Sequence, residues 1–254
     1  MAATKNTTKK STAKKPKAQT APAAEPVEKE SVASAAVANV PDVEVVDTPA
    51  PACKEAPVAE PEVRVAPKKK IMFVASEAAP FIATGGLAEV IGSLSKAIAK
   101  DENFDVRVIV PLYQDIKKEY RKDFRFIGNI FVPLSWRNQY CGIFEYEKDN
   151  VKFYFVDNEF YFKRPGCYGY YDDGERFAFF CRSVMEILSF LNFYPDILHC
   201  HDWQAALAAL YLKTIYCFRP EYQFIRSVFT IHNIEYQGKY SLDILEDLFG
   251  ISNR

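Results

Sequence analysis

The run Ile71-Met72-Phe73-Val74-Ala75-Ser76-Glu77, followed shortly by Thr84-Gly85-Gly86-Leu87-Ala88-Glu89-Val90, constrains the fold more than any other part of the chain. The first run is apolar enough for a buried strand. Leu87, Val90, Ile91, Leu94 and Ile98 then recur at helical spacing, so the order is strand, turn, glycine pair, helix. Ser93, Ser95, Lys96 and Lys100 fall on the rest of that cylinder, and Thr84 is the expected N-cap. A helix starting near Gly85 leaves its first N–H groups without internal acceptors, and the positive end of its dipole lies at the same place. Two adjacent glycines remove the Cβ atoms that would hold a pyrophosphate away from that backbone. A lone Gly-Gly is more often merely a tight strand-to-helix turn, so other segments must decide whether this is a phosphate site.

Apolar residues make up 49% of the chain and aromatics 15%, enough for a sizeable core, but they are unevenly placed. Residues 1–20 carry Lys5, Lys9, Lys10, Lys14, Lys15 and Lys17 and no acidic residue, and residues 21–67 are rich in Ala, Pro, Val and Glu. Such a segment cannot bury enough apolar surface to offset its chain entropy, so residues 1–69 are expected to be a disordered, semi-stiff tail ahead of a folded domain over 70–254. A solvated tail is preferred to a nucleic-acid contact for its basic start. No run approaches the roughly 18 apolar residues of a membrane span. The N-terminus lacks the apolar core of a secretory signal and the Arg bias of a transit peptide, which points to the cytoplasm. Cys53, Cys141, Cys167, Cys181, Cys200 and Cys217 fall at no metal-like spacing and read as reduced, mostly buried thiols.

From residue 69 onward strand and helix patterns alternate. Asp105 to Leu112 reads as a second buried strand. Phe124–Leu134, Gln139–Tyr146 and Val151–Val156 form a hairpin-rich excursion, and Phe177 to Leu191 is a helix closed by Pro195. Ile197–Cys200 is a strand, Trp203, Leu207, Leu210 and Tyr211 mark a helix, Ser227–Ile231 is a strand, and Leu242–Phe249 is a last helix. Short links between these elements imply right-handed parallel crossovers, hence an α/β, Rossmann-like, doubly wound sheet. In such a sheet ligands bind beyond the carboxyl ends of the strands. Three polar clusters fall there: Thr84-Gly85-Gly86, His199 to Asp202, and His232-Asn233.

Each cluster has an ordinary explanation too. His199 and His201 would share a face of a strand and could reach one ion, but a catalytic zinc wants a third protein ligand and no partner motif is present, so no metal is expected. Asp202 suits the N-cap of the helix beginning at Trp203. His232 could be a histidine satisfied at a strand end, and Glu77 either a sugar contact or a solvated carboxylate.

Read together, Ser76-Glu-Ala-Ala-Pro-Phe-Ile-Ala-Thr-Gly-Gly-Leu-Ala-Glu-Val90, Arg164-Pro-Gly-Cys-Tyr-Gly169 with Asp172-Asp-Gly-Glu-Arg-Phe-Ala-Phe-Phe180, His199-Cys-His-Asp-Trp-Gln204, and Phe229-Thr-Ile-His-Asn-Ile-Glu-Tyr-Gln-Gly238 resemble bacterial glycogen synthase and plant starch synthase, in order and spacing, over residues 70–254. The resemblance implies a hexosyltransferase that moves glucose from ADP-glucose to the non-reducing end of an α-1,4-glucan with retention, and that needs no cofactor. The implied fold is the first Rossmann-like half of a two-domain GT-B glycosyltransferase. It places the N–H groups of Gly85 and Gly86 at the donor diphosphate with Thr84 as a further donor-binding residue, His232 and Asp202 at the transferred sugar as the catalytic pair, and Glu77, Tyr236 and Gln237 as further sugar or acceptor contacts. No counterpart of the family's nucleotide-binding second domain is found before Arg254, so the chain alone is expected to be inactive and its first domain incomplete.

One departure stands out. The family often carries Lys two residues before the glycine pair, and this chain has Ala83. A charge-assisted contact to a phosphate contributes about 1.5–3 kcal/mol, so its loss weakens the case for ADP-glucose over UDP-glucose. The rival class is a non-catalytic glucan- or partner-binding protein. A nucleotide-sugar epimerase or dehydrogenase would need a Gly-x-Gly-x-x-Gly fingerprint, and none is found.

Overall fold

The structure, a computed structural model, describes residues 67–251. The expected tail lies almost wholly outside the described residues, as does Cys53, and Lys69 already opens the first strand.

Seven strands form one sheet: β1 (Lys69–Val74), β2 (Phe104–Pro111), β3 (Arg125–Leu134), β4 (Arg137–Lys148), β5 (Val151–Asp157), β6 (Ile197–His201) and β7 (Arg226–Thr230), in the order β3-β4-β5-β2-β1-β6-β7. β5, β2, β1, β6 and β7 run parallel. β3 and β4 pair antiparallel and extend the sheet beyond β5, so the hairpin-rich segment is an edge of the main sheet and not a separate excursion. The chain steps from β1 outward through β2 to β5, then returns to the other flank of β1 with β6 and β7. The order therefore reverses between β1 and β6, and that reversal opens a crevice at their carboxyl ends.

The helices are α1 (Gly86–Ile98), α2 (Lys118–Arg121), α3 (Glu159–Phe162), α4 (Asp173–Phe190), α5 (Trp203–Thr214) and α6 (Ile244–Asp247). In α1 the apolar stripe is rotated from the expected one: Leu87, Ala88, Ile91 and Ser95 are buried, and Val90 is exposed. The cause is a close approach. A Cβ on Gly92 would lie 2.7 Å from the Ala79 carbonyl oxygen, so the helix turns its small residues toward the loop after β1. Ser95 is tolerated inside because its hydroxyl donates to the Ile91 carbonyl at 2.6 Å.

α5 departs in the same way. Ala205, Ala208, Tyr211 and Leu212 are buried and Leu210 is exposed, since small residues let α5 pack closely on its neighbours. The long helix expected over Leu242–Phe249 is reduced to the single turn of α6.

The loop after β1 is anchored by Phe81. Its ring meets Tyr120, Tyr146, Phe153 and Phe155 edge-on at centroid distances of 4.9–5.5 Å, pairs that contribute about 0.5–1.5 kcal/mol each beyond area burial. That anchor fixes the segment that delivers Thr84, Gly85 and Gly86 to the crevice.

Candidate active site

β1 ends at Val74, which is paired with Cys200 of β6, and His201 is paired with Thr230 of β7. Residues just beyond these three strand ends therefore share one rim of the sheet. Glu77 sits past β1 and is buried at 3% exposure, which excludes the solvated carboxylate. Its carboxylate accepts from the Thr84 backbone N–H and, at 2.7 Å, from the Thr84 hydroxyl. The Tyr168 hydroxyl donates to the same carboxylate at 2.5 Å and lies 2.7 Å from the Ser76 hydroxyl. Burial, with Tyr113 and Glu77 nearby, raises the Tyr168 phenol, so it stays a donor. Thr84 is thus not the N-cap. Gly85 takes that position in extended backbone with no side-chain cap, and Thr84 instead ties the glycine pair to the end of β1.

The glycines themselves are informative. Gly85 and Gly86 are exposed, neither has a positive φ, and a Cβ on either would meet nothing within 4 Å. Neither turn geometry nor internal packing calls for glycine here. What the pair does provide is an unobstructed helix N-terminus facing solvent.

Across the rim, Asp202 has φ +56°. Its backbone begins α5, with the Ala205 N–H donating to its carbonyl at 3.1 Å, but its carboxylate does not cap the helix as expected. It accepts from the His232 backbone N–H at 2.7 Å, joining the end of β6 to the end of β7. The His232 ring meets His201, with Nε2 2.9 Å from His201 Nδ1. His199 Nε2 lies 2.8 Å from the Thr230 hydroxyl. Burial, then the charges of His199 and His232, push the His201 imidazole down to about 3, and burial with His232 lowers His199 as well. Both are neutral at ordinary pH. Among the described residues no group of three or more His, Cys, Asp or Glu side chains could hold a metal ion.

Tyr236 is 71% exposed, and the Gln237 amide donates to the Ile234 carbonyl at 2.7 Å. Gly238 has φ +57° and a Cβ there would fall 2.3 Å from the Trp203 ring, so glycine is required. Trp203, Phe177, Leu207, Tyr240, Leu245 and Phe249 line an adjacent apolar pocket of about 230 Å³. Cys141, Cys167 and Cys200 are buried and pushed up to about 12, chiefly by burial, which makes them inert as nucleophiles. Sequence reasoning assigned no role to Tyr168, Ser76 or the ring contact of His201. The Tyr168 motif was visible, but nothing local marks a bond across 91 residues.

Fold and site together define an open α/β sheet whose switch-point crevice offers bare N–H donors on one side and an aspartate–histidine unit on the other. Residues 70–254 match the starch synthase catalytic domain family, and the chain belongs to it. It is 51% identical over 184 residues to the glycogen synthase of Desulforamulus reducens and 48% identical over 183 residues to that of Lactobacillus acidophilus, covering 72% of this chain and 38% of the relative in each case. A solved catalytic domain of starch synthase IV from Arabidopsis thaliana, bound to ADP and acarbose, superposes with a TM-score of 0.66 at 28% identity, over 74% of this chain and 38% of that one. The sheet is the Rossmann-like part of a GT-B glycosyltransferase domain, and the chain spans a little over a third of the length of the relatives it matches.

Proposed function

We propose that the protein transfers glucose from ADP-glucose to the non-reducing end of an α-1,4-glucan with retention, and that this chain supplies the part of the site described above. The observation that carries the reading is the pairing of an exposed glycine N-terminus, for which the fold has no internal need, with the Asp202–His232 unit on the same sheet rim. Family membership and the ADP and acarbose bound by the Arabidopsis relative support the donor and acceptor classes.

Departure of a nucleoside diphosphate builds negative charge on its β-phosphate. The N–H groups of Gly85 and Gly86, fixed in advance by the Thr84–Glu77–Tyr168 brace, stabilise that charge without reorganising. His232 and Asp202 act at the sugar: the ring of His232 donates to a glucose hydroxyl, and Asp202 sets the path of the backbone that carries it. Tyr236 and Gln237 stand beside His232 as acceptor contacts. Glu77, with its carboxylate engaged by Thr84 and Tyr168, acts through the loop it holds. Among the described residues no helix is long and apolar enough to cross a membrane, and the unpaired thiols Cys141, Cys167, Cys181 and Cys200 suit a reducing, cytoplasmic setting.

The test is nucleotide release when the full-length protein is incubated with glycogen and either ADP-glucose or UDP-glucose. ADP release with growth of the glucan is the expected result. Glycogen binding without release of either nucleotide would establish the non-catalytic glucan binder instead.

Gly86→Ala separates a phosphate cradle from a turn. Its Cβ meets open space in the free protein, so urea unfolding is expected to give a stability equal to that of the parent or up to about 1 kcal/mol higher, alanine being the better helix former. ADP affinity, by calorimetric titration, is expected to fall about tenfold or more, because the methyl stands where the phosphate approaches. A destabilised variant with unchanged ADP affinity would return the glycine to a purely structural role.

A further inference from the structure

We infer that His201 is a positioning residue that fixes the tautomer of His232, so that His232 meets its ligand with Nδ1–H as a hydrogen-bond donor. The inference deepens the transferase reading and rests on it for its functional consequence only.

His201 is the last residue of β6 and is 1% exposed. Its ring packs in a triangle with Phe73, stacked at 5.6 Å with 15° between planes, and His199, at 4.0 Å, which themselves lie 5.1 Å apart. Held this way, Nδ1 points at His232 Nε2 across 2.9 Å, while Nε2 is buried and has no hydrogen-bond partner. A neutral imidazole carries one N–H, which leaves two arrangements. With the proton on Nε2, His201 would bury an N–H donor that bonds to nothing. With the proton on Nδ1, that N–H is satisfied by His232 and only a lone pair is left bare, and orphaned buried N–H groups are the rarer of the two defects. The burial that keeps His201 neutral makes this choice persist across the working pH range.

The consequence falls on His232. Its Nε2 must accept from His201, so its own proton resides on Nδ1, the ring nitrogen that the exposed side chain has available for a ligand. His232 is thereby set as a donor to a sugar oxygen, and the Asp202 bond to its backbone N–H holds the ring over the same spot. Asp202 anchors the main chain; His201 sets the ring.

The chain contains three histidines, and all three lie in this cluster, so the test is direct. Histidine-selective 15N labelling of the protein and long-range 1H–15N correlation read each ring's tautomer. The expected result is the Nδ1–H form for both His201 and His232 at neutral pH. In His201→Phe, His232 is expected to revert to the Nε2–H form that a free histidine side chain prefers. In His201→Asn, whose amide can place an N–H where Nδ1 sits, it is expected to keep the Nδ1–H form. With glucosyl transfer as readout, His201→Phe should lower kcat about 10- to 100-fold with KM unchanged within about twofold, and His201→Asn should recover most of that loss. An Nε2–H tautomer of His232 in the unmodified protein overturns the inference even if the transferase is active, as does a tautomer unmoved by His201→Phe. If no glucosyl transfer is found, the tautomers still decide it, and only the transferase reading is lost.

Discussion

Replacing His232 with alanine is expected to lower glucosyl turnover by about 10²–10³-fold, the loss seen when one preorganised donor is removed from a transition-state site. The fold should survive. His232 is exposed, and its structural bond to Asp202 runs through its backbone N–H, which alanine retains. The truncation opens His201 Nδ1 to water, so the unfolding free energy should change by no more than about 1 kcal/mol. Because the ring lies on the sugar side of the proposed site, ADP affinity should stay within about twofold while kcat falls, and that split separates a role in the chemical step from a role in binding the nucleotide. Steady-state turnover at saturating donor and glucan, alongside ADP titration, makes the measurement. Near-parental turnover would remove His232 from the mechanism.

The sequence carried the sheet well, for a physical reason. β1 over 71–74 and β2 over 108–111 are buried at every position, so they appear as unbroken apolar runs that periodicity cannot miss. Helix faces were harder. α1 and α5 bury alanine and serine positions that a hydrophobic stripe overlooks, and α1 sets Gly92 against Ala79, because close approach of backbones rewards small side chains over large ones. The site was legible as a set of strand-end clusters, which follow from chain order alone. Its wiring was not. The Glu77–Tyr168 bond spans 91 residues and the His201–His232 contact 31, and both depend on which strands become neighbours. Asp202 shows the limit clearly: a good N-cap residue in the right place, whose positive φ turns its carboxylate to β7 and away from the helix it precedes.

The largest stability effect is expected at Arg176, which is fully buried. Its Nε donates to the Tyr161 carbonyl at 2.7 Å, and Nη1 donates to the Cys167 carbonyl at 3.1 Å and to Asp173 at 2.5 Å. The other oxygen of Asp173 accepts from the N–H groups of Gly169 and Tyr170. This one ion pair therefore closes the loop before α4 onto the helix, and Tyr168, which braces Glu77, lies within that loop. Arg176→Met keeps much of the volume but leaves the Asp173 carboxylate buried without its cation, a change that costs about 3–5 kcal/mol. For a domain of this size that corresponds to a fall of roughly 6–20 °C in Tm. Adding Asp173→Asn should cost far less than the sum of the two single changes, since the uncompensated charge is then gone, and the double-mutant cycle by urea unfolding measures that coupling. ADP affinity should fall in Arg176→Met as well, because the brace under Thr84 loosens with the loop, and Asp173→Asn alone should weaken it less. A loss below about 1 kcal/mol in Arg176→Met would mean that the loop is held by its aromatic contacts, such as Tyr168 against Phe177, and that the buried pair adds little.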